Sequence, residues 1–362
     1  MQKTLRLLGI VVPWCLLIGS IPARANPSVW LSQSVDHQEA AQVEPLLSVG
    51  GILTETDKKL EDSSRYDSHT FSGQAGQIIT IILKSNDFDP VLILNTSSGE
   101  LVDGNDDSDE GSTAKIIVRL PFTGEYQILA NAYSATGRGR YQLTVNAASD
   151  EETYQAERYE DLTQLLEQGF ELVQRSQLKS ANTVYENALV IALELGDREN
   201  EAGILNNIGL ALHGQGNYLQ ALDYYEQSLE IAKEIENIEM ELLIQANIGT
   251  VYLSQGNFAQ SLDTFEQNLE AARSLGDRVT ESIALINTGG VYLTQGSYAE
   301  ATAYFEQALE LSRKTESPST ETLALSNLGS AYLSQENYAQ GITYLEQSLA
   351  ISQSLGDRPT EA

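Results

Sequence analysis

Four asparagines recur at a constant spacing in the C-terminal part of the chain. They lie 40 residues apart, at Asn207, Asn247, Asn287 and Asn327. An asparagine side chain offers one acceptor oxygen and two donor hydrogens, so a column of them could hold the backbone of an extended peptide without reading its side chains. The same spacing equally suits structural asparagines, each bonded to a neighbouring helix. The pattern therefore predicts either a peptide-binding row or a set of packing amides.

Oxygen ligands are concentrated in a second segment, which follows an aliphatic run. Asp103, Asn105 and Asp107 alternate as the first ligands of a calcium loop do. The pattern departs from an EF-hand, because the glycine stands at Gly104 and the position of the distal glutamate is occupied by Ala114. Acidic loops are also common as solvated turns. The segment is interpreted as a solvated turn that holds no cofactor, with a calcium site at Asp103, Asn105 and Asp107 as the alternative.

Hydrolytic chemistry finds little support in the sequence. The chain has three histidines, His37, His69 and His213. The Gly-x-Ser-x-Gly, His-Glu-x-x-His and phosphate-loop motifs do not occur. His213 takes the repeat position that leucine fills at Leu253, Leu293 and Leu333, which favours packing over catalysis. We therefore expect a protein that is not an enzyme.

The first 25 residues have the order of a secretory signal peptide. A positive start is followed by an apolar run over 7–21 and a small-residue end at Ala23-Arg24-Ala25. The alternative is a membrane anchor, but the run is shorter than the ~20 residues that a spanning helix needs. We expect cleavage after Ala25, export to the periplasm or out of the cell, and no stable membrane span in the mature protein.

Residues 49–147 are predicted to form an antiparallel β-sandwich, because short β-branched runs alternate with turn residues. The runs are Ile78–Leu83, Val91–Leu94, Ile116–Leu120, Tyr126–Ala130 and Tyr141–Val145. The polar segment 26–48 is interpreted as a flexible leader, with an edge strand near 43–49 as the alternative. Residues 148–161 are strongly acidic and are predicted to be a linker that runs into a helix.

Residues 162–362 are built on a 40-residue repeat. Glycines recur two residues after each asparagine, and a Gln-Gly-Asn-Tyr turn that starts at Gln215 returns with small changes in the later copies. A degenerate first copy contains Gly169 and Tyr185. Apolar residues at three- and four-residue steps predict two helices per unit, which gives an all-α array of about five units.

The linkers and faces of the repeat carry further patterns. Gly196, Gly276 and Gly356 are predicted left-handed helix caps, each followed by a capping aspartate. The column of Glu226, Glu266, Glu306 and Glu346 is interpreted as a solvated face, and the one of Tyr218, Phe258, Tyr298 and Tyr338 as packing between repeats. The sequence given stops at the start of a sixth unit, so we expect either continuation or a covering partner.

Charge and cysteine content exclude several functional classes. The chain has 362 residues with 51 acidic and 21 basic side chains, a formal net charge of −30. Such a surface repels phosphate, which excludes nucleic-acid and polybasic membrane binders and favours neutral or basic partners. Signal cleavage would remove Cys15, the one cysteine, and with it disulfides and thiol catalysis.

The repeat resembles tetratricopeptide repeats, through its Leu-x-Asn-Ile-Gly-x-x-Tyr core, the small residue at Ala221 and the aromatic at Tyr225. Its period is similar to the long-repeat branch seen in kinesin light chain and in adaptors that orient the mitotic spindle. The resemblance implies a superhelical solenoid whose first helices line a concave face, and asparagines there that grip a peptide backbone. The last unit departs from the pattern, with Gly341 and Ile342 in place of Ala-Leu and Leu345 in place of the aromatic.

Residues 49–147 resemble the bacterial pre-peptidase C-terminal domain. The matching pieces are Phe71-x-Gly73-x-Ala75-Gly76-Gln77, Asp87-Phe88-Asp89-Pro90, Asn105-Asp106-Asp107, Pro121-x-Thr123-Gly124-x-Tyr126 and Gly139-x-Tyr141-x-Leu143-x-Val145. This resemblance implies a β-sandwich that is an accessory or binding module of exported proteins.

These patterns together predict an exported, non-enzymatic adaptor whose array binds a peptide segment or a partner protein, neutral or basic in charge. The first alternative comes from bacterial arrays of this type that precede a caspase-like protease domain of the CHAT type. The chain would then be the N-terminal regulatory part of a larger protease. The second alternative is a calcium- or glycan-binding module at the cell surface.

Overall fold

The computed structural model describes residues 45–60, 64–105, 112–134 and 136–355. The chain divides into two compact units. One contains the β-strands, continues to Leu165 and takes in Val190–Asp197. The other contains Leu166–Leu189 and the helices from Arg198 onward.

The strands form two antiparallel sheets, with orders β1-β9-β4-β7 and β2-β3-β8-β5-β6. Their bounds are β1 Leu47–Leu53, β2 Lys58–Lys59, β3 Arg65–Gly73, β4 Ile78–Lys84, β5 Pro90–Thr96, β6 Leu101–Asn105, β7 Thr113–Arg119, β8 Gly124–Ala132 and β9 Gly139–Ala147. The predicted antiparallel sandwich is confirmed. β1 begins within the segment predicted to be a leader and is an edge strand, as the alternative interpretation had it.

The core of this unit lies between inward-facing side chains of both sheets. Ile79, Ile81 and Leu83 alternate with outward residues along β4, and Leu92 and Leu94 do the same along β5. The fully buried Tyr126 at the start of β8 fixes the preceding turn. Its hydroxyl donates to the Phe122 carbonyl at 2.7 Å and accepts from the Phe122 amide at 3.1 Å, an arrangement similar to the tyrosine corner of other sandwiches.

The helices pair as two per repeat. Their bounds are α1 Asp150–Gln174, α2 Leu178–Leu195, α3 Arg198–Gly214, α4 Tyr218–Glu234, α5 Ile238–Ser254, α6 Phe258–Leu275, α7 Arg278–Thr294, α8 Tyr298–Lys314, α9 Pro318–Ser334 and α10 Tyr338–Leu355. The odd-numbered helices, here called A helices, carry the asparagine column. The even-numbered ones, here called B helices, carry the buried aromatics.

The segment predicted to be an acidic linker, 148–161, is helical from Asp150 onward. Its carboxylates face cations on β7. Glu152 pairs with Lys115 at 2.7 Å, and Arg119 pairs with Glu160 at 2.9 Å. Burial raises the pKa of Glu152, but bonds from Lys115 and the Ser149 backbone outweigh that effect and hold the pKa below its usual value. The acidic run therefore holds the start of α1 against the sheet. Its carboxylates also interact favourably with the positive end of the helix dipole.

Residues with a left-handed backbone conformation separate the helices. Gly216, Gly256 and Gly296 have φ between +74° and +80° at the turns inside repeats. Gly196 and Gly276 have φ of +67° and +73° between repeats, as predicted for caps; Gly356 lies outside the described residues. The sequence did not indicate the same conformation at Glu236, Glu316 and Glu336, where side chains replace glycine and φ is also positive.

The glycine column and the aromatic column meet inside each repeat. A Cβ built on Gly209 would lie 2.7 Å from the Tyr225 ring, and one on Gly249 would lie 2.6 Å from the Phe265 ring. The degenerate first copy keeps the contact, between Gly169 and Tyr185. Glycine is needed here because the A helix and the aromatic of the B helix pack without room for a side chain between them.

Replacing Tyr225 with phenylalanine is expected to stabilise the repeat array. Within the described residues the Tyr225 hydroxyl has no hydrogen-bond partner, although the side chain is fully buried. The same position is occupied by Phe265 and Phe305 in the next repeats. Removing a buried, unpaired hydroxyl should raise the free energy of unfolding by about 1 kcal/mol. Urea denaturation followed by circular dichroism measures the change, and a lower midpoint for Tyr225→Phe would contradict the prediction.

Candidate functional site

The four asparagines of the column all lie on A helices and all are buried, with 1–5 % of each residue exposed. Their hydrogen bonds differ. Asn247 donates from Nδ2 to Oδ1 of Asn206 on the preceding A helix at 2.8 Å. Asn327 donates to the Leu323 carbonyl of its own helix at 2.9 Å. The Asn247 contact is of the kind that the sequence left open as an alternative, an amide bonded to a neighbouring helix, whereas the Asn327 contact stays within one helix.

Asn287 differs from these two. Its amide makes no hydrogen bond within the described part of the chain, although only 3 % of the residue is exposed. Asn207 is close to this state, since its amide meets only the Asn206 Nδ2, at the limiting distance of 3.5 Å. Buried polar groups are normally paired. The column therefore keeps donors and acceptors available at Asn287 and Asn207, and within the described residues Oδ1 of Asn247 is also buried without a hydrogen-bond partner.

The structure places two of the three predicted calcium ligands at the end of β6, and Asp107 lies outside the described residues. Asn105 donates from Nδ2 to the Lys115 carbonyl at 2.7 Å, and Asp103 accepts from the Gly104 amide at 2.8 Å. In the described ranges, no group of three or more histidine, cysteine, aspartate or glutamate side chains is arranged to hold a metal. Calcium binding at this loop stays a prediction.

The two histidines in the described ranges lie in structural contacts. His213 meets the Ser254 hydroxyl at 2.9 Å, and that hydroxyl donates to the Thr250 carbonyl. His69 lies 2.7 Å from the Tyr141 hydroxyl, which donates to Asp67 at 2.6 Å and so connects the two sheets. Burial lowers the pKa of both imidazoles, which favours the neutral form. His37 lies outside the described residues.

A second column on the A helices, made of glutamates, was not predicted from the sequence. Glu201, Glu241, Glu281 and Glu321 are also 40 residues apart. Glu281 is buried and accepts from Arg273 at 2.8 Å and Arg278 at 2.7 Å, while Glu321 accepts from Arg313 at 2.8 Å. The signal was the constant spacing, which was present but lay among many other acidic residues.

The surface of the array also carries pairs of tyrosines. Tyrosine rings stack in pairs on the last four helices, as Tyr292 on Tyr304 and Tyr332 on Tyr344.

Among the helices of the described residues, none combines the length and apolar character that crossing a membrane requires. The predicted signal segment lies outside those residues.

Comparisons with known proteins address the helical part. Sequence models of the tetratricopeptide repeat match residues 172–234, 240–314 and 324–359. No curated protein sequence is significantly similar to the chain.

Solved structures are similar at low sequence identity. A Rap protein complexed with competence and sporulation factor aligns with a TM-score of 0.50 and 17 % identity, over 57 % of this chain and 56 % of Rap. Aspartyl phosphate phosphatase F from Bacillus subtilis aligns at 0.49 and 19 %, over 58 % and 56 %. BtubC (BKLC) from P. vanneervenii aligns at 0.46 and 18 %, over 57 % and 86 %. The repeat matches and the Rap alignment together show that the helical part of the chain has the fold of a tetratricopeptide-repeat solenoid. It follows a β-rich region of two antiparallel sheets.

Proposed function

We propose that this protein is an exported, non-catalytic scaffold whose tetratricopeptide array binds a peptide segment of a partner protein. The observation that carries the proposal is the unpaired, nearly buried amide of Asn287, in a column that repeats every 40 residues. A peptide backbone supplies one N–H and one C=O per residue, which are the groups that an asparagine amide pairs with. The Rap protein of similar fold was solved with a bound factor.

The asparagines are not equivalent in this proposal. Asn287 and Asn207 have bonding capacity to offer, whereas Asn247 and Asn327 already donate to protein groups. A peptide that approaches the A helices therefore pairs first with Asn287. Removing the Asn287 amide should cost affinity and little stability, because there is no intramolecular hydrogen bond to lose. Removing the Asn327 amide leaves the bonding capacity of Asn287 intact.

The experiment begins with a phage-displayed library of random dodecapeptides, selected against the chain produced from residue 26 onward. The selected peptide is titrated by calorimetry into wild type, Asn287→Ala and the matched control Asn327→Ala. A charge-neutral hydrogen bond is worth about 0.5–1.5 kcal/mol, so we expect roughly a fivefold loss for Asn287→Ala and less than twofold for Asn327→Ala. Backbone N-methylation of the peptide should weaken binding to wild type to a similar extent at the contacted residue.

Three outcomes would overturn this proposal. The first is the failure of the selection to give any peptide that binds the purified chain. The second is equal affinity of wild type and Asn287→Ala at unchanged thermal stability. The third is a markedly lower melting temperature of Asn287→Ala, which would give the amide a packing role in place of the binding role.

Export and the nature of the β unit belong to the same proposal. The signal-peptide pattern supports cleavage after Ala25, and the intact mass of the protein from its native source tests it. Observation of the uncleaved N-terminus would count against export. The resemblance to pre-peptidase C-terminal domains is supported by the packing of its motif residues, since Tyr126 stacks on Phe71 and Phe122 with ring centroids 5.6 and 4.9 Å apart.

A further inference from the structure

Two stacked tyrosine pairs occupy equivalent positions in the last two repeats. Tyr292 of α7 stacks on Tyr304 of α8, with centroids 5.4 Å apart and planes at 13°. Tyr332 of α9 stacks on Tyr344 of α10, at 5.5 Å and 8°. All four rings are partly exposed. The corresponding positions of the preceding repeat hold Tyr252 and Thr264, so no such pair can form there.

A glutamate from the preceding repeat lies at each pair. The Tyr332 hydroxyl donates to Glu306 at 3.4 Å. Glu266 occupies the equivalent position 40 residues earlier, and its charge acts on Tyr304 of the first pair. Burial raises the pKa of Tyr304, and neighbouring Tyr292 and Glu266 raise it further, against the opposing charge of Arg273. Glu266 and Glu306 belong to the column that the sequence analysis interpreted as a solvated face.

These carboxylates are exposed, and neither forms an ion pair within the described part of the chain. The cations nearby are already engaged. Residues 198–355 contain 21 acidic and 6 basic side chains. Five of those six are in ion pairs inside the array, namely Arg198, Arg273, Arg278, Arg313 and Lys314. The array therefore presents carboxylates beside aromatic rings and has few cations of its own to neutralise them.

The tyrosine pairs lie on a different side of the A helices from the asparagine column. Tyr292 follows Asn287 by five residues, and Tyr332 follows Asn327 by five. At 3.6 residues per turn, five residues place two side chains about 140° apart around the helix. The pairs and their glutamates thus form a second surface, independent of the amides of the proposed function.

We propose that the tyrosine pairs, with Glu266 and Glu306, bind arginine side chains of a basic protein segment. A guanidinium can lie on a tyrosine face and donate two hydrogen bonds to an adjacent carboxylate at the same time. An ammonium offers a point charge without the planar stacking surface, so arginine is preferred over lysine. Two sites in successive repeats suit a segment with two arginines.

The test uses three synthetic peptides of twelve residues that differ only at two positions, which are both arginine, both lysine or both glutamine. Binding to the chain from residue 26 onward is measured by fluorescence anisotropy at low and at physiological salt. We expect the arginine peptide to bind at least fivefold more tightly than the lysine peptide, and the glutamine peptide to show no measurable binding. Equal affinity for arginine and lysine would overturn the proposal, because simple charge attraction would then be sufficient.

Matched variants locate the site. Glu306→Gln and Glu226→Gln each remove one charge from the same column, but Glu226 lies two repeats before the first tyrosine pair, and the repeat that follows it has no such pair. We expect Glu306→Gln to weaken arginine-peptide binding about fivefold and Glu226→Gln less than twofold. Equal losses would mean that only the net charge matters, and the site would be wrong. Asn287→Ala should leave this binding unchanged, so that failure of one proposal is distinguishable from failure of the other.

Two variants of Tyr344 test the role of the ring, and both keep a large apolar side chain at this position. Tyr344→Phe keeps the stacked ring and should retain arginine-peptide binding within twofold. Tyr344→Leu removes the ring and should lower the affinity about fivefold. If Tyr344→Phe and Tyr344→Leu bind equally well, the ring face is not part of the site and the proposal fails.

Discussion

Replacing Gly249 with alanine is expected to lower the free energy of unfolding of the repeat array by about 2–3 kcal/mol, at the upper end of what overpacking costs in a core. The new Cβ would lie 2.6 Å from Cε1 of Phe265, well inside van der Waals contact. Phe265 cannot move aside, because its side chain is fully buried among Ala246, Leu253 and Val291. The helices α5 and α6 would have to separate.

Gly256→Ala is the matched control for this prediction. Gly256 ends the same A helix with φ of +74°, and a Cβ built there would meet no atom within 4 Å. Gly256→Ala should therefore lower the free energy of unfolding by about 1 kcal/mol, which is the cost of placing alanine in the left-handed backbone conformation. Urea denaturation followed at 222 nm compares the two variants. Equal midpoints would show that backbone conformation, and not contact with the aromatic, makes glycine necessary at position 249.

The double variant Gly249→Ala with Phe265→Ala tests whether the clash with the ring causes the loss. Leucine is not suitable here, because a Cβ built on Gly329 would still lie 2.6 Å from Leu345, which occupies the aromatic position in the last repeat. Removing the ring leaves room for the added methyl group. We expect the loss caused by Gly249→Ala to shrink by at least 1 kcal/mol in the Phe265→Ala background, since the effects of residues in contact are not additive.

The glycine–aromatic contact shows how far sequence reasoning reaches in a repeat. Gly249 and Phe265 were both found from their 40-residue spacing, and the two-helix unit followed from periodicity and turn residues. Constant spacing identifies positions that the fold uses in the same way in each copy. It does not say which columns touch, because that depends on the rotation and crossing of the packed helices.

The β unit was predictable where strands are aliphatic and was missed where they are polar. The runs around β4, β5, β7, β8 and β9 have the β-branched pattern of half-buried strands. By contrast β3 has the sequence Arg-Tyr-Asp-Ser-His-Thr-Phe-Ser-Gly and buries only its last inward residues, Phe71 and Gly73. Its place is fixed by eight paired residues of β8, a long-range partner that local sequence does not reveal.

The candidate site was predictable in position but not in state. The asparagine column was found, but its amides differ in hydrogen bonding. Asn247 donates to Asn206 while its own Oδ1 has no partner, and Asn287 forms no hydrogen bond at all within the described residues. For Asn327 the partner is a carbonyl of its own helix, but for Asn247 it lies one repeat away. At Asn247 the partner is Asn206, whereas the residue that corresponds to Asn206 in the next repeat is Ala246. A difference of this kind becomes visible only once the helices are packed.

Replacing Glu281 with glutamine is expected to lower the free energy of unfolding by about 2 kcal/mol at neutral pH, the range of hydrogen bonds to a charged group. Glu281 is buried in α7, and its two carboxylate oxygens accept separately from Arg273 of α6 and from Arg278. A glutamine offers one acceptor oxygen and puts an NH2 group against the second arginine. One arginine therefore keeps its acceptor, while the other loses its hydrogen bond and faces an NH2 group that repels it. This weakens the contact between successive repeats.

Glu321→Gln is the control, because Glu321 accepts from a single arginine, Arg313, and is more exposed than Glu281. Exposed ion pairs contribute little, so its loss should stay below about 1 kcal/mol. The comparison uses the urea midpoint of each variant at pH 7. A loss for Glu321→Gln as large as that for Glu281→Gln would contradict the role of burial.

The pH dependence gives an independent test of the same contact. Burial raises the pKa of Glu281, but hydrogen bonds from Arg273 and Arg278 outweigh it and hold the pKa below the usual glutamate value. A carboxyl whose pKa is lower in the folded chain stabilises the fold at pH values above its unfolded pKa, about 4.3. This stability is lost as the pH falls through the folded pKa. The difference between wild type and Glu281→Gln should therefore stay constant from pH 7 to pH 5.5 and shrink below about pH 4. A difference that grows with acid would show that Glu281 is held neutral, and that the arginines stabilise the array in some other way.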